Sequence, residues 1–132
     1  MHAPILGERT LTQLDFSRLR KLAGALPAEL DDLLNEADVL DPRTISPDVI
    51  TMYAQFVIRE MKTQRRRQLV LCYPADAEPA RGYVSVLSPV GLSLLGLPLG
   101  ATARWFAPDG SENLAQIEEI LFQPEATGDY LT

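Results

Sequence analysis

Ser88–Gly100 reads SPVGLSLLGLPLG. It is almost wholly apolar, yet it holds two prolines and three glycines. A long core helix would not carry those breakers, and a core strand would not begin Ser-Pro and turn twice. One arrangement reconciles them. Ser88 is a good N-cap and Pro89 a good first helical residue, because that position needs no N–H. Val90, Leu92, Leu94 and Leu95 fill a short helix, Gly96 ends it, and LPLG turns back. A short apolar helix needs a surface to cover, so the flanks decide the fold class.

Those flanks read as strands. Upstream, Ile50, Met52, Ala54, Phe56 and Ile58 alternate within VITMYAQFVIRE as in a half-buried strand. RQLVLCY and YVSVL are the next two, separated by the polar loop PADAEPARG. Downstream, ATARWFA is a fourth strand. PDGS is a turn, since proline presets φ and Asp-Gly tolerates the bend. NLAQIEEILF has a spacing that also suits a helix, but the turn before it favours a hairpin strand. QPEATGDYLT reads as an extended tail.

The first forty residues change period. Leu11, Leu14, Leu19, Leu22 and Leu26 recur at near-helical spacing. Asp15 is a candidate N-cap, with Thr12 as the rival start. Gly24 to Pro27 break this run. Pro27 then opens AELDDLLNEADVL, where Leu30, Leu33, Leu34, Ala37 and Leu40 form one stripe that Asp41-Pro42 ends. The expected architecture is α+β: a short antiparallel, coiled-coil-like helical hairpin over 1–42, a linker over 43–49, and an antiparallel sheet unit with one short helix over 50–132.

Composition narrows the function. The 132 residues are 46% hydrophobic and carry a net charge of −6, which argues against nucleic acid as a direct ligand. Lys62–Arg67 (KTQRRR) is a local basic cluster that reads as a solvated turn, or as a contact for an acidic protein surface. No apolar run approaches a membrane span, and MHAPILGERT lacks a signal-peptide pattern, so a cytoplasmic protein is expected. The single cysteine, Cys72, cannot form an internal disulfide and sits mid-strand as a packing residue.

No catalytic apparatus is visible. The one histidine, His2, lies at the terminus; there is no Cys/His cluster of metal-ligand spacing and no phosphate-cradling glycine loop. The protein is therefore not expected to be an enzyme, nor to need a metal or cofactor. The one group with chemical potential is acidic: Glu29, Asp31 and Asp32 near the hairpin turn, with Glu36 and Asp38 beyond. Carboxylates can hold Mg²⁺ with a substrate phosphate, but acidic residues in a first helical turn also simply favour the helix dipole.

The segments DVITM (48–52), LVLCYPA (69–75), SVLSPVGLSLLGL (85–97) and QPEATGDYL (123–131) occur in an order that resembles the C-terminal half of the Gre transcript-cleavage factors. Within that superfamily the sequence is most similar to the Rnk family, the regulators of nucleoside diphosphate kinase. The resemblance implies an FKBP-like sheet unit, without prolyl isomerase activity. It implies a partner, RNA polymerase, contacted at the β′ rim helices beside the secondary channel through the Ser-Pro edge. The matching positions are Ser88 and Pro89, with Val90 and Gly91 adjoining. In Gre factors a long coiled coil carries acidic residues to the polymerase active site. Here the hairpin is too short for that reach, so those roles do not transfer to Asp31 or Asp32; Pro27, Glu29, Asp31 and Asp32 stand as a second candidate site at the hairpin turn. Three functions remain in competition. One is a polymerase-bound regulator without cleavage activity that influences nucleotide pools. Another is a direct regulator of nucleoside diphosphate kinase, and the third a short cleavage factor using the acidic turn.

Overall fold

The computed structural model describes residues 9–22 and 28–129. His2, the expected break at Gly24 to Pro27, and the last residues of the tail lie outside them.

Five strands form the main sheet, in the order β5-β4-β3-β7-β6. They are β3 (Gln55–Glu60), β4 (Arg66–Cys72), β5 (Tyr83–Ser85), β6 (Thr102–Phe106) and β7 (Glu112–Phe122). β3 pairs antiparallel with both β4 and β7, and β6 with β7, so the last element is the hairpin strand its turn suggested. Two expectations for the sheet are corrected. β5 runs parallel to β4, because the ten residues between them make 3-10 turns at Pro74–Asp76 and Pro79–Arg81 and return the chain to the same end. The strand expected over VITMYAQFVIRE is shorter, since Tyr53 adopts φ 66° and diverts the chain before β3 begins. Its alternation is nonetheless real: Ile50, Met52, Ala54, Phe56 and Ile58 are all fully buried. Ile50 pairs instead with the Ser88–Gly100 stretch, through Ile50 N to Leu97 O (3.0 Å) and Gly96 N to Ile50 O (2.8 Å).

Among the described residues, three α-helices accompany the sheet: α1 (Gln13–Lys21), α2 (Ala28–Glu36) and α3 (Pro89–Leu94). Thr12, not Asp15, caps α1, its hydroxyl accepting from Asp15 N at 3.0 Å. Asp15 is drawn instead into the interior, where it meets Met52. Thr12→Ala is expected to lower stability by about 1 kcal/mol in a urea melt, because it leaves a buried first-turn N–H without an acceptor. α2 stops at Glu36 rather than running to Leu40. Asp38–Leu40 (β2) pairs parallel with Thr10–Thr12 (β1), led by Asp38 N to Arg9 O at 2.9 Å. Val39 and Leu40 are exposed, so no buried face held them in the helix, and β-branched Val39 suits a strand.

The tail is also corrected. Pro124–Thr127 forms a 3-10 turn, and Gln123, Pro124 and Glu125 are buried. Gln123 Nε2 donates to Ser46 O and Val49 O, both at 2.8 Å, and the Thr51 hydroxyl donates to Glu125 at 2.7 Å. Buried partners hold this segment where composition suggested an extended tail. One hydrophobic core joins Leu11, Leu19, Leu30 and Leu34 of the N-terminal region to Phe56, Ile58, Leu69, Leu71, Leu94, Leu95 and Ile117.

Candidate functional site: the N-terminal edge of α3

The short helix begins and ends as its sequence dictates. The Ser88 hydroxyl accepts from Gly91 N (3.1 Å) and donates to Ser85 O (2.7 Å). Pro89 occupies the first helical position, and Gly96 adopts φ 79° beyond the C-cap residue Leu95. Leu94, Leu95 and Leu97 are fully buried. α3 lies against β5 and β6. This packing leaves Pro89 exposed and Ser88, Val90 and Leu92 half-buried.

The four predicted contact residues are therefore adjacent but not equivalent. Pro89 and Val90 offer apolar surface. Ser88 is occupied by its cap, so the edge is not the row of unsatisfied donors expected at a helix start; its hydroxyl shapes the helix rather than reaching outward. Gly91 is buried, and a Cβ there would lie 1.9 Å from Ser85 O, so glycine is required by close backbone approach.

Sequence reasoning missed the support at the other end. The Arg9 guanidinium donates to Leu92 O (2.8 Å) and Leu95 O (2.9 Å), satisfying carbonyls at the α3 C-terminus. Burial lowers its pKa to about 10, which still leaves it charged at neutral pH. Thr10 N bonds Gly96 O at 3.0 Å, and a Cβ on Gly96 would meet Thr10 O at the same distance. The lone signal was a basic residue near the terminus, and nothing local tied it to a helix more than eighty positions away. Arg9→Met keeps the aliphatic stem but loses both bonds. A loss of about 1–2 kcal/mol is expected in urea unfolding, since bonds from a charged donor exceed neutral ones.

The acidic residues do not assemble into a second site. Asp31 pairs with Arg20 of α1 at 2.8 Å, while Glu29 and Asp32 are exposed; Pro27 lies outside the described residues. Among the described residues, no three His, Cys, Asp or Glu side chains are grouped to hold a metal ion. Cys72 is buried with Sγ 3.5 Å from Val84 O, and burial raises its pKa, the opposite of what a reactive thiolate requires. No helix among the described residues is long and apolar enough to cross a membrane.

Known proteins share this fold. The family described as "Transcription elongation factor, GreA/GreB, C-term" matches residues 45–121. The chain is 37% identical over 110 residues to the regulator of nucleoside diphosphate kinase of Escherichia coli K12, covering 83% of this chain and 78% of that protein. It is 29% identical over 117 residues to transcription elongation factor GreA of Solidesulfovibrio magneticus, covering 86% of this chain and 71% of that factor. Among solved structures, a prokaryotic transcription elongation factor GreA/GreB from Nitrosomonas europaea superposes with a TM-score of 0.73 at 32% identity, over 88% of this chain and 99% of that one. A curled five-stranded sheet with an apolar helix, matched over that span, makes this chain a member of the GreA/GreB transcription elongation factor family, in which the regulator of nucleoside diphosphate kinase is one of its relatives.

Proposed function

We propose that the protein regulates transcription elongation by binding RNA polymerase through the N-terminal edge of α3, at the secondary-channel site that Gre factors use, without stimulating transcript cleavage. The observation that carries this reading is the edge itself. α3 is fixed at both ends, by the Ser88 cap and by Arg9, and its exposed corner is the rigid, apolar Pro89 with Val90 beside it. A preorganised apolar corner suits a partner helix, because little conformational freedom is lost on docking. The N-terminal region is read as a short helical hairpin joined by a linker to an FKBP-like sheet unit. α1 and α2 have nine residues each, about 13 Å at 1.5 Å per residue, and Asp31 is engaged by Arg20. Catalytic carboxylates must arrive within hydrogen-bonding distance of their target, and these lack the reach. Effects on nucleotide pools would then follow from altered transcription.

Binding to core RNA polymerase, with a Gre factor as competitor, tests this. Mutually exclusive binding is expected, with no cleavage of a backtracked transcript. Pro89→Ala is expected to weaken binding about tenfold while moving the unfolding midpoint little, since a first-turn proline is tolerated rather than required. Binding that the Gre factor leaves untouched would overturn the proposal. So would a binding loss that merely tracks unfolding.

The 37% identity to a regulator of nucleoside diphosphate kinase favours a second reading, direct binding to that kinase. A pull-down of the purified kinase without polymerase distinguishes the two.

A further inference from the structure

We propose that the tip of the β3–β4 hairpin is a second interaction surface, whose partner is a carboxylate-rich protein segment that also carries apolar side chains. The tip is ordered from within. Gln64 takes φ 63°, its N–H reaches Glu60 O (2.8 Å) and its side chain Met61 O (2.8 Å). Thr63 donates to the Glu60 carboxylate (3.1 Å), and Glu60 N bonds Arg65 O (2.8 Å).

The basic residues here divide into two kinds. Arg59 and Arg66 both pair with Glu118, at 2.7 and 2.8 Å, and Arg67 pairs with Glu60 at 3.4 Å. Among the described residues, Lys62 and Arg65 form no ion pair, and both are exposed. Five cations and two carboxylates leave this region at +3, while the whole chain carries −6, so the remainder carries −9. Beside the free cations lie Met61 and Leu114, 40% exposed each and joined by Met61 N to Leu114 O (2.9 Å). A pair of unmatched cations next to an apolar pair, on a tip whose backbone is held from within, fits an acidic segment with interspersed apolar residues. A nucleic acid fits less well. It needs a stripe of cations along a backbone, whereas here two cations stand beside an apolar pair that a sugar-phosphate backbone would leave unused.

The test uses the full chain and a fluorescein-labelled peptide of repeated Asp-Glu-Leu units, with oligo(U) RNA as the competing probe. The peptide is expected to bind, and the double variant Lys62→Ala/Arg65→Ala to weaken it about tenfold or more. Met61→Ser is expected to weaken it about threefold, and raising salt to suppress it. Neither cation supports another side chain, so the thermal melt of the double variant should match the parent. Absence of peptide binding, or binding indifferent to Lys62 and Arg65, overturns the proposal. Tighter, tip-dependent binding of the RNA also overturns it, since the surface would then serve a phosphate backbone. None of these outcomes depends on whether Pro89 contacts polymerase.

Discussion

Gly91→Ala is expected to lower stability by about 3–5 kcal/mol, a large share of what a small domain possesses. The added Cβ would stand 1.9 Å from Ser85 O, 2.8 Å from Ser85 C and 3.0 Å from Val86 Cα. All three are backbone atoms, so no side chain can swing aside. Ser85 O cannot retreat cheaply either. It accepts from Ser88 N (3.0 Å) and from the Ser88 hydroxyl, and the next residue is tied into the sheet by Val86 N to Cys72 O (2.9 Å). Relief would require lifting α3 off β5, which uncaps the helix and exposes part of the core beneath Leu94 and Leu95. Ser88→Ala is the calibrating comparison. It removes the cap without a clash, for about 1 kcal/mol. Urea melts of the two variants should therefore separate widely. Equal midpoints would mean that α3 slides freely on the sheet. Loss of polymerase binding in a Gly91 variant would accordingly report a misplaced helix, whereas loss in a Pro89 variant of unchanged stability would report a contact.

That distinction between neighbours marks where the sequence stops being informative. α3 was legible because every signal in it is local: a capping serine, a first-turn proline, and a terminal glycine at positive φ. The alternation from Ile50 to Ile58 correctly gave the buried face, but burial does not specify a ladder partner. Tyr53 turns the chain while Ile50 and Met52 keep facing inward. β1 and β2 were invisible for a related reason. Each has three residues, β2 is exposed throughout, and only their pairing makes them strands. The polar residues that fix the site's surroundings are the least legible of all. Arg9 reaches Leu92 and Leu95 across more than eighty positions, Gln123 reaches Ser46, and Asp15 reaches Met52. Sequence periodicity describes apolar faces. It says nothing about which distant carbonyl or N–H a buried polar group will satisfy.

Asp15 carries the second large effect, and its sign runs against the usual behaviour of aspartates. Its carboxyl is fully buried; Oδ2 accepts from Met52 N at 3.1 Å, and Oδ1 has no hydrogen-bond partner. Burial raises its pKa from 3.8 to about 7; the bond from Met52 opposes the rise, the charge of Glu125 adds to it, and Arg18 opposes it weakly. Tyr73, whose own pKa is also raised by burial, faces the same carboxyl. Because the folded-state pKa lies above the unfolded one, the folded protein holds a proton that the unfolded chain releases between those values. This group therefore takes nothing from stability below about pH 4. Its penalty grows as pH rises through the window and is complete above about pH 7, on the order of 4 kcal/mol as an upper bound. Glu125 adds a smaller slope of the same sign, since burial raises its pKa against the opposing bond from Thr51. Asp15→Asn keeps an oxygen for Met52 N and removes the ionisation. The variant is expected to match the parent near pH 4 and to exceed it by about 2–4 kcal/mol near pH 8, with only the residual slope from Glu125 remaining. Asp15→Ala also removes the ionisation but leaves Met52 N unsatisfied and opens a void, so it should fall below the parent near pH 4. Urea unfolding across this range decides the matter. A parent whose stability relative to Asp15→Asn does not fall between pH 4 and 7 would show that Asp15 is charged in the fold, held by the Met52 bond and Arg18 more strongly than burial opposes it. A declining profile, flattened in Asp15→Asn, would place a proton on the joint between α1 and the approach to β3 at neutral pH.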